Sequence, residues 1–404
     1  VEVEGSGYIE YDKNTHEITP LDKLELWARA ARGKKDYDAI SILSRVQAGN
    51  NGELNLNDNK IDMFGVKYFS LSDSQFVRTI PNQMHVKVMS NRDLNSDGRM
   101  AAGKLNFYGR VSPDTAQIDT STGKFTFQYD NFKILCDSLD SLKFDFNRDK
   151  RLGSRDGGMT KLQKALQNTT IEGVTGAIYI NKPDNKNGLE PHPEYPVFDS
   201  YTKSYVYWYN PNVRDGVYSK DKFYFAIDPF VLDSLESFDE ASLSFEGEFE
   251  SSGILPRIRQ KLTVMEDYTL GLVESTPADT GYATYEGKGR FKGDVQLDGS
   301  GLSSDGVMEF MNTTAESDSF QMFFDSVKAI TNEFTLPKGT RENGAVFPQI
   351  DAKTVGYKWL TQKDQIELET TADGEPIVLF EGDGTFEGKL IVTEMGLKGN
   401  GTLT

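Results

Sequence analysis

The chain has 404 residues, 62 acidic against 44 basic side chains, a net charge of −18, 11% aromatic residues and one cysteine. That charge repels nucleic-acid phosphates and anionic membrane surfaces, the aromatic content excludes a disordered chain, and a lone Cys136 excludes an internal disulfide. No run approaches the roughly 18 apolar residues of a membrane-spanning helix. The expectation is therefore a folded protein of two or three modules, with no transmembrane segment in this chain.

Taken in order, Glu4 to Gly7 open the chain with Glu-Gly-x-Gly. Residues 21–47, LDKLELWARAARGKKDYDAISILSRV, then carry helix-forming residues after Pro20, with Gly33 as a break, which predicts a helical insertion. From Glu53 the pattern turns to short alternating runs, at 65–71 and 84–89 and again at 104–111, 124–136 and 141–146. Period-2 alternation of this kind is the mark of half-buried strands. Cys136 falls inside one such run and reads as a small buried hydrophobe. A short helix is predicted over 159–168, then a strand at 176–180, then a loop-rich stretch over 181–222 punctuated by five prolines. Strands resume at 222–227, 242–250 and 258–265.

Residues 285–308, YEGKGRFKGDVQLDGSGLSSDGVM, return without gaps 95 positions later as FEGDGTFEGKLIVTEMGLKGNGTL, identical at eight of 24 positions. Glu286, Gly287, Gly289, Phe291, Gly293, Gly301, Leu302 and Gly306 are the shared residues of the first copy. Glycines at fixed offsets among alternating apolar residues describe strands that bend or are closely approached. Such repetition predicts a mainly β protein: consecutive antiparallel strands in stacked, sandwich-like or elongated β-repeat modules, with minor helices. The expected modules are 1–95, 96–275 and a C-terminal repeat segment 276–404 that stops within a repeat.

Two segments have the spacing of calcium loops, in which alternate oxygen ligands wrap a hard cation. Asp145, Asn147 and Asp149 occupy positions 1, 3 and 5, with Asp156 at position 12. Asp93, Asn95 and Asp97 repeat the spacing more weakly, because Lys104 stands at position 12. The same residue types also make turns that bind nothing. The three histidines lie far apart, and no nucleophile elbow, zinc-protease, P-loop or dinucleotide motif occurs. Paired carboxylates for glycoside hydrolysis cannot be singled out among so many acids. The aromatic cluster Tyr205, Tyr207, Trp208 and Tyr209, with Tyr201 nearby, offers core packing, a protein contact or a glycan platform. A platform requires at least two exposed and nearly coplanar rings.

The segments GAIYINKPDNKNG, PEYPVFDS, SYVYWYNP and GVYSKDKFYFAIDPFVLDSL, followed by YEGKGRFKG and TTAESDSFQMFFDS, resemble large uncharacterised repetitive cell-envelope proteins of Bacteroidetes-type bacteria. The similarity covers about residues 170–340. It brings no activity, cofactor or catalytic residue, and it implies an envelope or extracellular location. The expected function is a non-catalytic structural or interaction segment of a large secreted envelope protein, with a protein or glycan partner. The alternatives are a carbohydrate-binding or glycan-degrading β-protein and a periplasmic β-groove that carries lipid.

Overall fold

The computed structural model describes residues 170–185, 190–211, 213–235, 243–267, 269–372 and 374–404 in full, with 10–15 and much of 125–142; elsewhere upstream it describes strand backbones. The protein is almost wholly antiparallel β, and among the described residues the helical elements are single 3-10 turns at Arg214–Gly216 and Phe380–Gly382. Contacts group Val1–Val206 with Ile227–Leu243 in one unit, and Tyr207–Ala226 with Ser244–Thr404 in a second.

In the first unit, the strands Lys104–Pro113 and Ile118–Gln128 form a long hairpin in which Gly109 faces Gly123. Each long strand hands on to two separate ladders. His85–Met89 pairs one half of Lys104–Pro113 and Phe76–Thr79 the other. Across the hairpin, Lys133–Leu139 and Leu142–Phe144 divide Ile118–Gln128 in the same way. One of these ladders continues through Gly176–Tyr179, Val197–Ser200 and Val231–Leu232, so that Ile134, Ile178, Phe198 and Leu232 form a buried cross-strand row. The other aligns the buried side chains of Leu142, Ile171 and Val206. Cys136 lies in this interior at 1% exposure, and desolvation by burial pushes its thiol up to about 12.

Two elements depart from the sequence reading. Leu24–Arg29 and Asp38–Ser44, expected in a helical insertion, are strands paired with each other, and Leu24–Arg29 also pairs with Glu2–Ser6. Local helix propensity amounts to tenths of a kcal/mol per residue, and tertiary pairing overrides it. The continuous run 124–136 is broken by a turn in which buried Phe132 takes φ 48°, giving two strands where alternation alone shows one. The helix expected over 159–168 lies outside the described residues. The loop-rich stretch 181–222 contains the strands Val197–Ser200 and Ser204–Tyr207.

The second unit is built on the same plan. Gly289–Asp298 and Gly301–Phe310 form a long hairpin, as do Gly384–Thr393 and Gly396–Leu403. Between them two ladders run side by side. One is Ser326–Thr331, Val355–Leu360 and Gln365–Thr370; the other is Glu333–Leu336, Ile350–Ala352 and Ile377–Leu379. Thr313–Met322 feeds both, and Gly384–Thr393 collects both. The ladders face each other across an apolar interior, where the rings of Phe334 and Tyr357, one from each, stand 6.3 Å apart. Val327, Trp359, Ile366 and Val392 make a buried row along the first ladder, which is the period-2 pattern of the sequence carried across four strands. The arrangement is sandwich-like.

The bend of each long strand explains its glycines. Gly293 faces Gly306 at φ 145° and 148°, and a Cβ on Gly293 would lie 2.1 Å from the Asp305 carbonyl oxygen. Gly388 faces Gly401, where the equivalent approach to the Asn400 carbonyl is 2.4 Å. Where the ladders part, the glycine N–H turns to a threonine: Gly293 donates to Thr276 Oγ1 at 2.9 Å and Gly388 to Thr370 Oγ1 at 3.0 Å. An N–H left unpaired there would cost about 1–3 kcal/mol.

Candidate functional site

The four aromatic residues singled out in the sequence do not share one face. Tyr205 belongs to the first unit, in a strand whose side chains alternate buried and half-buried, opposite Glu172. Trp208 belongs to the second and is 4% exposed; its Nε1–H donates to the Asp298 carbonyl at 2.8 Å, and its ring meets Phe223 and Phe249 edge-on. It packs segment 207–226 onto the end of a long hairpin strand. Tyr207 is half-buried and Tyr209 exposed, and their rings stand at 66° to one another. Lys220 Nζ lies 4.6 Å from the centre of the Tyr207 ring and 5.4 Å from that of Tyr209. A cation over both rings occupies faces that a sugar would need. The coplanar pair expected of a glycan platform is therefore not what these side chains adopt.

The calcium-loop residues Asp145, Asn147, Asp149 and Asp156, and likewise Asp93, Asn95 and Asp97, lie outside the described residues. Among the described residues no group of three His, Cys, Asp or Glu is placed to hold a metal ion, and no helix is long and apolar enough to cross a membrane. His192 stands between Glu190 and Glu194, at 3.8 and 3.5 Å from their carboxylates.

What the sequence reading missed is a cleft of about 890 Å³ in the second unit. One wall is the 3-10 turn at 214–216, whose three residues all take positive φ and which contributes Arg214 and Asp215, followed by Val217. The turn is held from below by Tyr218. That phenol is 1% exposed, stacks on Phe223 at 4.0 Å, donates to the Met322 carbonyl and accepts from the Leu302 N–H. Desolvation by burial raises its pKa to about 12, while the Leu302 N–H and the nearby Arg214 charge pull the other way. Gly301 lets the turn sit close, since a Cβ there would come within 2.8 Å of the Tyr218 ring and 3.2 Å of Arg214 Cγ.

The opposite wall is the solvent face of the first ladder. Here the pleat places Gln321, Lys328 and Lys358 directly across from one another on successive strands. Phe323, Phe324, Ser300, Asp325, Ser326 and Leu360 complete the lining. Lys328 Nζ rests 5.1 Å from the Phe323 ring centre, and Ser326 Oγ donates to Asp325. Lys328 and Lys358 are 30 residues apart in a chain read strand by strand, and only the register shows them to be opposed. A signal was nevertheless available, since both are outward positions of alternating runs.

These features define an antiparallel, sandwich-like β-protein with bent, glycine-crossed hairpins. No protein-family model matches the chain, and no curated protein matches it significantly.

Proposed function

We propose that this chain is a non-catalytic structural and interaction segment of a large secreted bacterial cell-envelope protein. One observation carries the reading: at a 95-residue offset the chain repeats backbone devices, where an enzyme would be expected to concentrate reactive side chains. The successive left-handed residues Tyr285, Glu286 and Gly287 recur as Phe380, Glu381 and Gly382, the facing glycines recur, and a threonine closes each bend, Thr276 in the first and, at an offset one residue shorter, Thr370 in the second. Repeats that conserve backbone geometry serve to pass one sheet arrangement on to the next.

Location in the envelope rests on the resemblance over residues 170–340 and on the acidic, cysteine-poor composition. A protein partner fits the aromatic cluster better than a glycan, because Trp208 is interior and Lys220 covers the two outer rings. In the second unit the space between the ladders is filled by fully buried Phe291, Phe320, Phe334 and Trp359, whereas a lipid carrier needs an open apolar channel. A panel of chromogenic glycosides together with a glycan array tests the reading. Neither turnover nor binding is expected. Turnover would overturn the proposal, and glycan binding that Tyr209→Ala abolishes would replace it with the carbohydrate-binding alternative.

A further inference from the structure

We propose that the cleft between the 214–217 turn and the Lys328/Lys358 face binds a small organic anion, a carboxylate or phosphate carried on a flat apolar body. This goes beyond the structural reading and stands without it.

The chain is acidic, and five other lysines of the second unit pair with carboxylates: Lys261 with Glu246, Lys288 with Asp364, Lys292 with Glu309, Lys338 with Glu381 and Lys389 with Glu367. Lys328 and Lys358 face each other on adjacent strands, and although Lys358 also stands opposite Glu367 on the next strand, that carboxylate is already paired with Lys389 at 2.8 Å. Like charges directly opposite in a sheet destabilise it. Arg214 brings a third cation to the same cavity, and its Nε is buried without a hydrogen-bond partner. A buried donor left open costs more than one that is satisfied, and an anion in the cleft would satisfy it while relieving the lysine pair.

The remaining lining sets the shape of the ligand. Phe324 gives the cavity apolar ring surface next to the cations, Phe323 being covered by Lys328, and a ligand that joins one anionic group to a flat apolar face uses both features. Asp215 and Asp325 also line the cleft, and Asp325 is exposed and engaged by Ser326. They disfavour polyanions and leave room for a single negative group between the cations.

Isothermal titration of the whole chain with benzoate, phenyl phosphate and inorganic phosphate separates the outcomes. Benzoate, phenyl phosphate or both should saturate with a Kd of about 1 mM or tighter, and which of them binds more tightly identifies the anionic group. Inorganic phosphate should bind roughly tenfold more weakly, because it gains nothing from the rings. The double variant Lys328→Gln with Lys358→Gln should lose binding about tenfold or more while it remains folded. Phe324→Leu should weaken phenyl phosphate and leave inorganic phosphate unchanged. The proposal is overturned if neither organic anion saturates by ~20 mM, far above the expected Kd. It is equally overturned if the lysine variant binds as the parent does, or if inorganic phosphate matches phenyl phosphate. Any of these failures leaves the structural reading untouched.

Discussion

The hairpins at 289–310 and 384–403 share their glycines, their inward residues and their turns, yet the segments packed on them differ. On the first strand of each, burial is the same: Phe291, Val295 and Leu297 are at 0%, and Phe386, Leu390 and Val392 at 6, 4 and 1%. The second strands differ. Met308 is at 0% where Leu403 is at 59%, and just before the first strands Tyr285 is at 6% where Phe380 is at 47%. Thr313–Met322 pairs along the outer side of Gly301–Phe310, and the 207–226 segment lies against its turn, as Arg214, Tyr218 and Trp208 show. The lesson is that the bend belongs to the hairpin itself, whereas the enclosure belongs to its neighbours.

This comparison can be broken first at the crossing glycines, where the two copies should behave alike. Gly293→Val and Gly388→Val each drive a side chain against a backbone carbonyl, at a positive φ of 145° and 132°. Each should cost about 3 kcal/mol or more in denaturant unfolding. If one variant were silent, the shared-bend argument would fail.

The next test should separate the copies. A Cβ at Gly289 would stand 2.7 Å from the Trp359 ring and 2.9 Å from Thr284 Oγ1, whereas at Gly384 the nearest atom is 3.5 Å away. Gly289→Ala is expected to destabilise by about 1–3 kcal/mol through overpacking. Gly384→Ala should stay within about 1 kcal/mol of the parent. Equal effects in the two would contradict the difference in enclosure.

Tyr218 probes the enclosure from its other side. Tyr218→Phe leaves the buried Leu302 N–H and Met322 carbonyl without that partner and should cost about 1–3 kcal/mol. It should also change alkaline stability. The folded phenol titrates near 12, above its usual 10.0, so its contribution is complete below pH 10.0 and disappears as pH rises towards 12. The variant should lose stability less steeply across that interval, although Tyr282, raised by burial and by its bond to Glu274, retains part of the slope. An unchanged slope would mean that the phenol is not held as described.

The smallest contrast is at the turn ends. Gly301 and Gly396 both have positive φ, 101° and 142°, but only Gly301 has neighbours, Tyr218 and Arg214. Gly396→Ala should show the conformational cost alone, of about 1 kcal/mol, and Gly301→Ala about 1 kcal/mol more. Melting curves of the two variants that overlay would remove the packing term.

Much of the fold was legible in alternation. The runs at 104–111, 176–180, 242–250 and 258–265 correspond to strands Lys104–Pro113, Gly176–Tyr179, Ser244–Glu250 and Ile258–Val264. The hairpin of Gly109 and Gly123 was not recognised as kin to the other two, because its side chains diverge and only the facing glycines remain. The stretch 24–44 misled because Leu, Glu, Ala and Arg favour helix locally, and nothing local records a partner strand. Of the cleft, individual lysines and phenylalanines were visible but their meeting was not.

The β class, the inward rows and the sites where the backbone must bend follow from local pattern, because period-2 burial and the absence of a Cβ act within a few residues of where they are written. Only the tertiary structure decided that each long hairpin divides into two facing ladders, that Tyr218 and Trp208 cover one hairpin, and that Arg214, Lys328 and Lys358 line one cavity. These outcomes depend on register between strands distant in sequence. A shift of one residue there would turn every side chain to the opposite face.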